Sequence, residues 1–375
     1  MNVAAPKPPR IVYFDALRAF CMFYGILVHG ATLDHDGDVF LTVIRVFSDL
    51  FRMATFFLIA GYFTAMVASK NSGADYFRGR AILILVPLVT TLVLLVPITN
   101  YLIHVWHTGP MPMRTYFLEG GWALPSLGKD VWHLHLWFLF SLFFYAMVTP
   151  ALLALVRRPA VNGAIDRYVA LTGGWTLWAN VAVIAIAVLA MRVVYSLVLA
   201  RFVGGTRADF IVTATLGYLP YYTLGVAMFV NAGLFRSMHR ISWIGLGAAA
   251  ALFLTMRYGG LGLPLALDRF LIWSAKAATI VFIIAALLRI FERYFKAPSK
   301  TLSFCIDGAF TFYLFHMTGI YLVANLIGPG LDRNVLLIFW IVVITVPPAV
   351  LALHAWAISP SSTLRLLFNG RVPKR

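Results

Sequence analysis

Residues 134–156 read LHLWFLFSLFFYAMVTPALLALV, 23 positions without an aspartate, glutamate, lysine or arginine. A bilayer core takes about 20 apolar residues per helix. Backbone groups in lipid must be satisfied within one helix or within a closed barrel. A continuous apolar run lacks the alternation of a barrel strand, so this stretch is predicted to span a membrane as a helix. Nine further runs qualify: Tyr13–Ala31, Val46–Ser69, Ala81–Val105, Trp178–Ala200, Ile211–Val230, Ile241–Met256, Phe270–Ile290, Cys305–Ile327 and Val335–Ile358. The run at Ile241–Met256 is the weakest, being short and rich in glycine and alanine. The expected fold is all-α, a polytopic transmembrane helical bundle of about ten spans in one domain, 1–375. It has a head at 1–12, a membrane bundle at 13–358 and a basic tail at 359–375.

Composition agrees. The chain is 61% hydrophobic and 12% charged, about half the roughly 25% charged residues of a soluble domain. A net charge of +16 on a soluble protein would suggest nucleic acid. Here the positive residues sit in short segments between apolar runs and report topology instead. With the N-terminus in the cytoplasm, 18 of the 30 lysines and arginines fall in cytoplasmic segments and 8 in outer loops. Arg18, Arg52, Arg192 and Lys276 fall inside spans. Both termini are therefore expected in the cytoplasm, with the bundle in a bacterial inner membrane and no nucleic-acid partner. The head, MNVAAPKPPR, reads as part of a retained signal anchor. Cys21 and Cys305 both lie in apolar runs, which argues against a disulfide or a thiolate metal site. The longest outer loop, Trp106–His133, is expected to lie over the outer mouth.

Ionisable groups within a span are costly and mark function by default. The first span, YFDALRAFCMFYGILVHG, carries Asp15, Arg18 and His29. Eleven helical steps from Arg18 to His29 make three turns plus about 20°, so both face one way, about 16 Å apart in depth. Asp15 is at pairing distance from Arg18, as Asp49 is from Arg52. An interfacial ion pair and a boundary histidine are the plain alternative for the first span, and a structural salt bridge for the second. His133 and His135 are two apart, so a continuous helix cannot turn both to one face; belt histidines are the plain alternative there. Lys276 and Arg192 lie in the outer halves of their spans, Asp307 near the inside and His316 near the middle. Buried charge is normally paired, so the pattern implies a polar cavity wet from outside and a cationic mouth inside.

These motifs together resemble the acyltransferase-three superfamily of membrane O-acyltransferases. The carrying residues are Asp15, Arg18 and His29, the segment FFLIAGYF at Phe56–Phe63, the basic pair Arg78 and Arg80 before Pro87, and FYLFHM at Phe312–Met317. HLWFL at His135–Leu139 is most similar to the glucans biosynthesis protein C branch, from which Ala54–Thr55 departs in place of Pro–Leu. The resemblance implies an acyl-CoA donor from the cytoplasm and a glycan or lipid acceptor. The branch implies a succinyl group, hence succinyl-CoA, and a periplasmic glucan.

Acyl transfer to a hydroxyl needs a base, and a neutral imidazole suits that near pH 7. His29 is the candidate, as base or as covalent acyl carrier. Arg18, Arg78 and Arg80 are expected to grip the donor phosphates, where a guanidinium fork matches the oxygens. Asp15 would hold Arg18. Asp49, Arg52, His133, His135, Lys276 and His316 form the expected acceptor or oxyanion site, with no metal and no bound cofactor. The rival expectation is a transporter or flippase for an envelope sugar or lipid, since intramembrane Asp, His and Lys also build proton relays. A sensory protein with Lys276 as a Schiff-base site is a third.

Overall fold

The computed structural model describes residues 11–34, 37–71, 73–120, 131–259 and 262–371. Lys7 and Arg10 of the head, Lys129 and much of the outer loop, and Lys374 and Arg375 of the tail lie outside these residues.

The described chain is a bundle of helices. The first crossing is α1 (Val12–Phe23) and α2 (Gly25–Gly30). They are joined at Tyr24, whose φ −59° and ψ −20° keep the helical sense, so the stripe expected for Arg18 and His29 survives. The second is α3 (Val39–Asp49) and α4 (Arg52–Ala68), broken at Leu50–Phe51. The third is α5 (Gly73–Leu94), continued by α6 (Val96–Thr108); α7 (Met113–Leu118) follows it. The fourth is α8 (Trp137–Val156). A connecting helix, α9 (Pro159–Thr172), precedes α10 (Thr176–Val194), whose π turn leads to α11 (Ala200–Val203). Then come α12 (Asp209–Val230), the short α13 (Ala232–Ser237), α14 (Trp243–Leu254), α15 (Leu265–Tyr294), α16 (Lys300–Ile327), α17 (Val335–Leu353) and α18 (Ser362–Asn369).

Among the described residues, nine helices are long and apolar enough to cross a membrane. The weakest run forms α14 and a π turn to Gly259, together 17 residues, about 25 Å at the α-helical rise. Parity supports counting it as a crossing. Asp15 and Arg18 near the chain start line the same cavity as Asn369 and Arg371 near its end. Both ends of the bundle thus lie on one face, which requires an even number of crossings. That face, the basic face of the bundle, carries the basic segments.

In lipid, helix association relies on small residues and interhelical hydrogen bonds, and the packing of α12 against α4 and α8 shows both. A Cβ on Gly61 would sit 2.2 Å from the Tyr222 carbonyl oxygen, and one on Gly225 1.9 Å from that of Leu58. The two backbones touch, which explains the glycine of FFLIAGYF. Polar clamps tie α8 to α12: Ser141 and Thr215 hydroxyls are 2.7 Å apart, and the Tyr145 hydroxyl donates to the Thr215 carbonyl. This packed trio positions Arg52 at the start of α4 and His135 just before α8.

Candidate active site

His29, at the end of the first stripe, meets two other imidazoles. Its ring centroid is 5.1 Å from that of His316 and 5.9 Å from that of His135, and the last two are 5.0 Å apart. His135 and His316 are buried, while His29 is partly exposed. On α16, the His316 Nδ1 lies 2.8 Å from the Tyr313 carbonyl and 3.0 Å from that of Phe312. Carbonyls only accept, so Nδ1 carries the hydrogen and Nε2 presents a lone pair. That Nε2 is buried without a partner, as are both ring nitrogens of His135. Buried polar atoms are normally satisfied, and such a concentration of orphans marks a place where a ligand belongs.

His135 reaches the cluster through a backbone break. Leu134, at φ 47° and ψ −129°, interrupts the turn before α8. His133 therefore points elsewhere, stacked on Phe210 at 6.0 Å and edge-on to Trp132 at 5.1 Å. Of the two histidines expected at the site, the fold brings in one. Tyr313 supports it, its hydroxyl donating to the His135 carbonyl at 2.9 Å.

Arg52 approaches from α4. The expected pairing of Asp49 with Arg52 is replaced, because the helix breaks between them at Phe51, φ −146°. The Asp49 carboxylate, 69% exposed, lies 3.8 Å from the Lys276 ammonium. Arg52 instead donates from Nε to the Ser48 hydroxyl at 3.0 Å and turns inward. Gly25 shows where it goes. A Cβ there would lie 3.3 Å from Arg52 Nη1, 3.4 Å from His316 Nε2 and 3.9 Å from His29 Cδ2. One guanidinium and two imidazoles thus converge on a single point left open by a missing side chain. Among the described residues, no three His, Cys, Asp or Glu side chains are placed to share a metal ion.

Two cavities flank this point. The inner one, about 180 Å³, opens on the basic face and is lined by Asp15, Arg18, Arg80, Asp307, Asn369 and Arg371 at its mouth. Arg18 lies 3.7 Å from Asp15, as expected, and 5.8 Å from the Phe63 ring centroid. Arg80 lies over the Tyr76 ring, whose hydroxyl donates to the Ala146 carbonyl at 2.7 Å. Arg78 is two residues from Arg80, so it turns away from the cavity and is exposed. Met22, Phe56 and Phe138 also line this cavity. They sit about one turn from Gly25, Arg52 and His135 respectively, and the Phe56 and Phe138 rings meet edge to face at 4.6 Å. An aromatic partition therefore stands between the cavity and the imidazoles.

The outer cavity, about 330 Å³, is lined by Asp49, Arg52, Arg192, Lys276, Trp137, Tyr218, Tyr221 and Trp273. The Arg192 guanidinium stacks on Trp273, 3.0 Å from its centroid, and Lys276 lies 5.6 Å from the same ring. Arg52 belongs both to this wall and to the convergence at Gly25. Sequence reasoning missed Gly25, Tyr313 and the tail residues Asn369 and Arg371, and left Arg192 unassigned. Arg192 carried a signal, as a cation inside a span, and Tyr313 lay within the FYLFHM segment without being singled out; Gly25 carried none, because its place arises from contacts between helices.

The bundle thus carries a cationic pocket on one face and an imidazole–guanidinium cluster among its membrane-spanning helices, and its class is that of a membrane-embedded transferase by the family it matches. The chain belongs to the acyltransferase family whose model, described as an acyltransferase domain, matches residues 11–354. It is a membrane acyltransferase. Similar curated proteins are the glucans biosynthesis protein C of Salmonella typhi and of Salmonella typhimurium, each 23% identical over 97% of this chain and 96% of its own. That of Salmonella schwarzengrund is 26% identical over 67% of each chain. No solved structure matches the chain significantly.

Proposed function

We propose that this protein transfers an acyl group from cytoplasmic acyl-CoA to a hydroxyl of a periplasmic glucan or related envelope glycan, in a bacterial inner membrane. The similarity to proteins named for glucan biosynthesis supports the glycan acceptor; a succinyl group is what the resemblance to that branch implies for the acyl unit. The observation that carries the reading is the first helical stripe. It sets Arg18 at the mouth of a cationic cavity on the basic face and His29, about 16 Å deeper, beside Arg52 and His316.

The nucleotide of the donor binds Arg18 and Arg80, with Asp15 holding Arg18, and the pantetheine arm passes the Phe56–Phe138 partition. The thioester carbonyl then sits near Gly25. The acceptor hydroxyl enters from the outer side, where aromatic faces and cations line the wall, and attacks the carbonyl carbon. His29 takes the hydroxyl proton. Arg52 stabilises the tetrahedral oxyanion, a role worth about 10²–10³ in rate for one donor. Collapse breaks the carbon–sulfur bond, and the imidazolium returns its proton to the leaving thiolate, releasing CoA and an ester. A covalent acyl-imidazole on His29 is the two-step version of the same chemistry.

The test is transfer from labelled acyl-CoA in membranes, with free CoA measured in parallel. His29→Ala should abolish transfer while the protein stays folded and inserted; wild-type turnover in that variant removes His29 from the mechanism. In proteoliposomes, movement of an unmodified solute without thioester consumption would replace the enzyme by a transporter. Mass spectrometry of envelope glycans from a deletion strain identifies the acyl group and its acceptor.

A further inference from the structure

We infer that the C-terminal segment Ser362–Arg371 is a wall of the donor cavity and that Arg371 is a phosphate-binding residue for the nucleotide of the donor. This rests on the donor reading above. The family match ends at residue 354, so the segment lies outside the region that defines the acyltransferase domain.

The segment is built into the bundle. Ser361 caps α18 by accepting from the Leu364 amide, and Phe368 packs on Phe315 at a centroid distance of 4.9 Å. Asn369 is buried and accepts from the Thr311 hydroxyl at 3.1 Å. The helix ends at Gly370 in the left-handed region, φ 61°, with the Gly370 amide bonded to Leu366 and the Arg371 amide to Arg365. This is a Schellman-type stop, which fixes the direction of the next residue. A Cβ on Gly370 would meet the Leu83 backbone at 2.5 Å and the Ile82 carbonyl at 2.8 Å. The stop is thus wedged against α5 just beyond Arg80.

Arg371 consequently points into the cavity that Arg18 and Arg80 also line. Its Nη1 lies 2.6 Å from one oxygen of Asp307, whose other oxygen lies 3.3 Å from His354 Nε2. A half-exposed ion pair of this kind adds little stability by itself. The arrangement matters for binding. Three guanidiniums from α1, α5 and the tail surround one cavity that two carboxylates, Asp15 and Asp307, share. A guanidinium has five donors in a planar fork, and one contact to Asp307 fixes its orientation while leaving the fork half-exposed to the cavity. A phosphate completes such a site. Asp307 is a positioning residue.

The experiment uses the full chain in lipid nanodiscs and measures binding of coenzyme A and of pantetheine, which lacks every phosphate. Arg371→Gln should weaken coenzyme A binding about 10- to 100-fold, the loss expected for one or two charge-assisted hydrogen bonds, and leave pantetheine binding unchanged. Asp307→Asn should show the same selectivity with a smaller loss. Hydrogen exchange on the unmodified protein provides a readout without a variant: coenzyme A should slow exchange of the amides of 362–371. Wild-type coenzyme A affinity in Arg371→Gln, or unchanged exchange in the segment when coenzyme A is bound, overturns the assignment and leaves the donor reading standing. Failure of the unmodified protein to bind coenzyme A overturns the donor reading, and this inference with it.

Discussion

Gly61→Ala tests whether helix contact and catalysis are joined. The added Cβ would lie 2.2 Å from the Tyr222 carbonyl oxygen and 3.2 Å from the Val226 amide. Both are backbone atoms, so no rotamer change relieves the clash. Ordinary contact requires α4 and α12 to part by about 1 Å. Overpacking of this kind costs about 1–3 kcal/mol, a measurable fall in melting temperature. The larger effect is on turnover. Arg52 opens α4, nine residues before Gly61, and its Nη1 approaches the Gly25 point to 3.3 Å. A misplacement of about 1 Å at a catalytic group costs about 10²-fold. Gly61→Ala should therefore insert normally, melt lower and transfer labelled acyl groups about 10²-fold more slowly. Gly247→Ala on α14, where a Cβ meets nothing within 4 Å, is the matched control and should retain activity. Wild-type turnover and stability in Gly61→Ala would refute the claim that this crossing sets the position of Arg52.

Gly25→Ala places a methyl 3.3–3.4 Å from Arg52 and His316, where the reacting carbonyl is proposed to sit. It should lower kcat by about tenfold or more with coenzyme A affinity unchanged; an unaltered kcat would move the reaction centre elsewhere. Arg52→Lys keeps the charge and loses the fork, and should cost about 10²-fold in kcat, read by single-turnover transfer. Arg18→Lys should instead weaken donor binding about tenfold, read as a rise in KM for acyl-CoA; a pure kcat effect would contradict its place at the cavity mouth. Phe138→Ala removes one ring of the partition and opens the inner cavity toward the imidazoles, so thioester hydrolysis without acceptor should rise. Equal hydrolysis in variant and wild type would show that these rings exclude no water.

Much of this protein was legible in its sequence, for a physical reason. Lipid cannot satisfy backbone groups, so long apolar runs had to be helices, and the charged residues left inside them had to matter. The Asp15–Arg18 pair and the common stripe of Arg18 and His29 were legible because helical geometry alone fixes their spacing, and the small bend at Tyr24 did not disturb it. Where the backbone leaves the helix, local spacing misled. The break at Phe51 separated Asp49 from Arg52, giving one to Lys276 and the other to the imidazoles. The separation of His133 from His135, by contrast, agrees with their two-residue spacing, and the irregular Leu134 did not bring them together. Arg78 and Arg80, two apart in sequence, diverged because a helix sends residues at that spacing to nearly opposite sides. Gly25 came to face both Arg52 and His316, and Arg371 came to line the cavity of Arg18 and Arg80, through packing of segments distant in sequence. The sequence by itself determined the bundle, the class of residue at each depth and the stripe that joins the basic face to His29. Tertiary structure alone decided which cation meets which imidazole, because that depends on helix contacts whose partners no local periodicity encodes.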